Sequence, residues 1–150
     1  MFRKRGVSSG DIVYIVSVLD GILLLGGSMT VDEVVSRAEL VRRRNSNSFF
    51  DVAEWIVAKP GTGTRLDLHR EIDPALTRKL LVASRNAQPK HLFFRADDKL
   101  DGQTTRGIRE ITAESAELLN QIISVTDRVS RATSMIRVTE ELLKNAERPR

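Results

Sequence analysis

Arg42, Arg43 and Arg44 stand in an unbroken run, and Asn45, Asn47 and Ser48 follow almost at once. Guanidinium groups grip phosphate oxygens through forked pairs of hydrogen bonds, and an asparagine amide can pair with an adenine edge. The pattern is that of a contact with double-stranded DNA. Arg42, Arg43 and Arg44 would hold the backbone, Asn45, Asn47 and Ser48 would lie against it with Asn47 at a base edge, and Lys59 and Arg65 would flank the contact.

A second set of cations, Arg65, Arg70, Arg78, Lys79, Arg85 and Arg95, is a candidate phosphate- or RNA-facing patch. Phe93, Phe94 and Tyr14 are the aromatic residues available to it for stacking, which is thin for a single-strand binder.

Other chemistries have less support. Cysteine is absent, which excludes a disulfide framework and any thiolate metal site, and is compatible with a reducing compartment. His69 and His91 fall on separate expected strands, with no carboxylate at ligand spacing, so no metal is expected. The sequence holds no Gly-x-Ser-x-Gly, no P-loop and no His-Glu-x-x-His. Gly61-Thr-Gly63-Thr64 follows an expected helix rather than a strand, the wrong context for a dinucleotide. Asp97, Asp98 and Asp101 read as a solvated turn. Neither catalysis nor a cofactor is expected.

The elements that would position the arginines come next. Thr30-Val-Asp-Glu33 has the form of a capping box, a Thr that accepts from one amide and a Glu that reaches back to another. Val31, Val34, Val35, Ala38 and Val41 then share one helical face, and Arg42–Arg44 suit the negative end of that helix's dipole. Before it, the apolar run Ile12–Leu25 has the length of a buried helix, which Gly26-Gly27 stops, while its β-branched residues allow a strand reading of the first half. After it, a short helix would bury Phe49, Val52, Ala53 and Ile56. This order of helices is a helix-turn-helix arrangement. The stretch GGSMTVDEVVSRAEL resembles, in general appearance, the second helix of many winged-helix regulators. Leu66 and Leu68 alternate with Arg65, Asp67 and His69, as a strand of a small wing would. Asp73-Pro74 marks a helix start, the helix running to about Arg85, and His91–Ala96 reads as a second short strand.

The last third of the chain, Thr104–Glu147, lacks proline and has apolar or small residues at steps of three and four. Ile108, Ile111, Leu118, Ile122, Val125, Val129, Ile136 and Leu143 lie on this stripe. It reads as one amphipathic helix roughly 60 Å long, which must overhang a globule of the preceding residues and so meet a partner, most simply another copy.

The expected fold is therefore mostly α with a minor two-stranded β element. Residues 1–100 form a small helix-turn-helix-like domain, winged-helix-like in outline, and residues 101–150 a long C-terminal oligomerisation helix. Net charge is +4, and the basic excess lies in residues 61–100. The expected function is that of a non-catalytic, cytoplasmic, homodimeric DNA-binding regulator. The alternative is an α-helical structural or adaptor subunit of a multiprotein or membrane-associated assembly, docking another helical protein through the long helix. Membrane contact through Ile12–Leu25 has weaker support. The basic start Met1-Phe-Arg-Lys-Arg resembles the front of a signal peptide, but Asp20 sits inside the run and the run is short of the roughly twenty residues of a span.

Overall fold

Ile12, Val13, Ile15, Val16 and Val18 are β-branched, and Asp20-Gly21 interrupts the apolar run they begin. In the computed structural model these residues form a hairpin, β1 (Ile12–Leu19) paired antiparallel with β2 (Ile22–Ser36) from Ile12↔Thr30 to Leu19↔Ile22. The two-residue turn places Asp20 at φ 52° and Gly21 at φ 84°, the left-handed pair that an Asp-Gly hairpin turn requires. The structure describes residues 2–44, 52–64, 66–67, 70–83 and 88–125.

β2 is the axis of the first of two compact units, Met1–Thr112. β1 lies along one side of it. On the other side β3 (Glu54–Ala58) pairs with Val31–Ser36, giving the order β1-β2-β3. The chain then keeps to that side: Thr64 and Asp67 donate their amides to Ser28 and Gly26, Leu25 donates to Arg70, and Ile72 donates to Leu23. Gly26-Gly27 sits inside the strand, where the register between β1 and β2 shifts at Ile15/Val16. A Cβ on Gly26 would lie 3.0 Å from a Leu66 methyl and 3.3 Å from Ile15.

Ser36 starts the helix α1 (Arg37–Arg44), accepting the Glu39 amide at 3.2 Å. α2 (Pro74–Thr77) is one turn, capped by Asp73, whose carboxylate accepts from Ala75 and Leu76. A smaller antiparallel pair follows, β4 (Leu81–Val82) with β5 (Lys90–His91), and Val82 also bridges to Ile111. A turn closed by the Phe94↔Leu100 bridge carries Leu100 back to the hairpin tip, where its amide donates to Gly21. Leu23, Leu25, Val31, Val35, Ile72 and Leu100 are the most deeply buried apolar side chains.

This architecture corrects the expectation of a mostly α, helix-turn-helix domain: the unit is built on sheet. The expected buried helix over Ile12–Leu25 is a hairpin, because β-branched residues pack well on a pleated surface and Asp-Gly turns the chain. The expected helix from Thr30 is the second half of β2, and the functioning cap lies six residues later, in Ser36-Arg-Ala-Glu39. Within the expected short helix after Ser48, residues 54–58 are β3. The helix at Asp73-Pro74 starts where the cap places it but stops at Thr77, and the chain is already extended at Leu81.

The second unit is Ala113–Arg150. Its described part is a helix, α3, over residues 113–125. Residues 106–112, expected inside the long helix, are not helical, and Gly102–Thr105 is a 3-10 turn capped by Asp101. Among the described residues no helix is long and apolar enough to cross a membrane.

Candidate nucleic-acid interface

α1 delivers its arginines to one end of β2. Its first turn carries Glu39 and its last turn Arg42–Arg44, the charge order the helix dipole favours. Arg43 reaches across to the Glu33 carboxylate on β2 and back to Glu39 on its own helix at 3.2 Å. These carboxylates raise its pKa above the ordinary arginine value, the Glu33 hydrogen bond foremost. Arg42 is exposed and forms no ion pair with any described residue.

The N-terminus reaches the same place. A 3-10 turn, Arg3–Arg5, is held there by Arg3: its guanidinium donates to the Val34 carbonyl, and its amide donates to Glu54 at 3.2 Å. Val34 adjoins Glu33, so the two basic runs of the first half of the chain are tied to neighbouring residues of one strand. Lys4 and Arg5 are exposed, without an ion pair to a described residue. Nothing in the sequence draws Arg3, Lys4 and Arg5 into the site, since charge is their only mark and the contact spans 31 residues.

The other expected contacts divide. Lys59 is exposed just past β3, and its amide donates to Thr30. Arg44 ends α1. Asn45, Asn47, Ser48 and Arg65 lie outside the described residues. No described helix follows α1 in the position of a reading helix, because the chain next appears as β3.

Of the second basic set, Arg78 pairs with Asp98, and Arg95 with Asp97 at 3.3 Å. Arg70 is buried, and Arg85 is outside the described residues. Arg78 does have an aromatic partner, its guanidinium carbon lying 4.0 Å from the Phe94 ring centroid. His91 Nδ1 is 2.8 Å from the Arg78 carbonyl. With Leu92 these three line an open pocket of about 240 Å³. No family model matches the chain, and no curated protein or solved structure matches it either. The site therefore stands on its own geometry.

The expected oligomerisation residues fall in different settings. Ile108 and Ile111 precede α3, and Ile111 bridges to Val82 in the first unit. On α3 the buried residues are Ser115, Leu119 and Ile123, one turn apart, while Leu118 and Ile122 are half-buried and Val125 is exposed. Val129, Ile136 and Leu143 lie outside the described residues. Among the described residues no three His, Asp or Glu side chains are grouped to hold a metal.

Proposed function

We propose that the chain is a non-catalytic protein that binds double-stranded DNA through its phosphates, with the end of β2 as the contact and no recognition helix in the groove. One observation carries this reading. Two basic runs far apart in sequence, Arg3–Arg5 and Arg42–Arg44, converge on Glu33 and Val34. Arg3 and Arg43 fix the two segments, leaving Lys4, Arg5 and Arg42 for the ligand. Such a contact positions the protein on the backbone and carries little sequence information of its own. Neutralising phosphates releases counterions, so affinity must fall steeply with salt.

The protein would act as a homodimer through its second unit, where Leu118, Ile122 and Val125 present apolar surface beside the buried ridge of α3. Fluorescence anisotropy with a labelled duplex across a salt series tests the contact. Replacing Lys4, Arg5 and Arg42 by alanine should lower the slope of log K against log salt by about three, roughly one for each phosphate no longer neutralised. Absence of duplex binding at about 50 mM salt overturns the reading. Light scattering on the same samples tests the dimer, and a monomer that ignores DNA leaves docking onto another helical protein as the use of α3.

A further inference from the structure

A second place on the first unit has ligand-binding chemistry that the DNA contact does not use. We propose that the pocket between β5 and the turn after it is a binding site for one nucleobase, carried on a phosphate. The proposal stands on the pocket's own residues and does not require the duplex contact.

The pocket is lined by Arg78, His91, Leu92 and Phe94, and at about 240 Å³ it is smaller than the roughly 300 Å³ at which drug-sized sites begin. It suits a single planar ring system. Leu92 is buried and supplies an apolar wall. Phe94 is half-buried, and the bridge to Leu100 holds its backbone in place. One face of the ring carries the Arg78 guanidinium, and a base stacks on that guanidinium plane, whatever its identity.

The polar groups narrow the class. The Arg78 carbonyl only accepts, so His91 must donate from Nδ1. In the neutral imidazole that fixes the tautomer and leaves Nε2 as a free-standing acceptor, suited to an amino or imino N–H on a base edge. The Arg78 guanidinium is positioned twice, by stacking over Phe94 at 4.0 Å and by its pairing with Asp98. It keeps further N–H groups for a phosphate oxygen, and exposed Lys79 follows it in the chain. A purely apolar ligand would leave the Arg78 and His91 groups unused. A bare anion would leave the ring and Leu92 unused. A nucleotide uses all four side chains.

The test is NMR titration of the whole chain with each of the four ribonucleoside monophosphates, following the His91 and Phe94 ring resonances. Inorganic phosphate and the free nucleosides serve as separate probes. Saturable shifts at both rings are expected with the nucleotides, weaker ones with nucleosides, and none at the Phe94 ring with phosphate alone. Phe94→Leu keeps apolar volume and removes the ring that backs the Arg78 guanidinium, and should weaken nucleotide binding by about fivefold or more. Arg78→Lys keeps the charge but loses the stack and fork, and should weaken nucleotides more than nucleosides. The Lys4, Arg5 and Arg42 triple variant should bind nucleotides unchanged, so failure of the duplex contact and failure of the pocket are told apart. Shifts with phosphate equal to those with nucleotide, no shift with any nucleotide, or undiminished affinity in a folded Phe94→Leu protein each overturn the proposal.

Discussion

The two halves of β2 are built on different principles. From Leu23 to Gly27 every residue is buried, with β1 along one edge and Thr64, Asp67, Arg70 and Ile72 along the other. From Thr30 to Ser36 only Val31 and Val35 are buried, and Asp32, Glu33 and Val34 face outward or lie half-covered. The first half reads as a continuous apolar run because both of its faces are covered; the second buries only Val31 and Val35, with a register shift against β3 between Val31 and Glu33, and leaves its other side chains exposed or half-covered. One strand thus divides its labour. Stability resides where side chains are excluded from solvent, and the charge that would meet a ligand resides where they are not. Arginine count alone does not locate that charge, since Arg3 and Arg43 are engaged by the strand while Lys4, Arg5 and Arg42 are not.

Breaking this division takes mutations on each half, read by both stability and DNA binding. Leu25 is 0% exposed, and Leu25→Ala should cost about 2–5 kcal/mol in urea unfolding. At the hairpin tip, Gly21→Ala should cost about 2–4 kcal/mol, because the new Cβ combines a left-handed backbone with a position 2.4 Å from Lys99 Cβ. Should Leu25→Ala leave the unfolding midpoint unchanged, the first half is not the stabilising one. At the outer end, the Lys4, Arg5 and Arg42 triple alanine variant should leave the midpoint nearly unmoved while flattening the salt dependence of duplex binding. Smallest of all, Glu33→Gln with Glu39→Gln should release Arg43 and steepen that salt dependence by up to about one phosphate's worth. Unchanged or weaker binding in this variant would mean that Arg43 is needed where the two carboxylates hold it.

How much of this is legible in the sequence depends on which residues one takes. Asp20-Gly21 is among the strongest short hairpin patterns, yet inside Ile12–Leu25 it passes for a blemish in a helix, because an apolar run has no period to contradict either choice. Val31, Val34 and Val35 fit a helical face, and Glu33 interrupts the alternation a strand would show, so what decides is β3 lying alongside, a pairing between distant residues. The capping motif is real in kind and displaced by six positions, since Thr30 and Ser36 each precede an acid by three. Asp73-Pro74 is legible because a cap acts through neighbours in the chain; the length of the helix is not, because Leu81 leaves it to pair with His91. The site follows the same rule. Arg42–Arg44 can be found as a run at a helix end, whereas Arg3–Arg5 joins them only through Val34 and Glu54, and Arg78, His91 and Phe94 meet only because β4 and β5 pair.

The contact between Leu100 and Gly21 also bears on how the molecule assembles. Its hydrogen bond closes a loop of nearly eighty residues, whereas the hairpin that ends at Gly21 closes on itself through two. Loop closure costs entropy that grows with length, so the hairpin can form early and its tip docks only after the Phe94–Leu100 turn has arrived. The tip is then the last seam to shut, and in pulse-labelled refolding the Leu100 amide should gain protection from exchange after those of the hairpin.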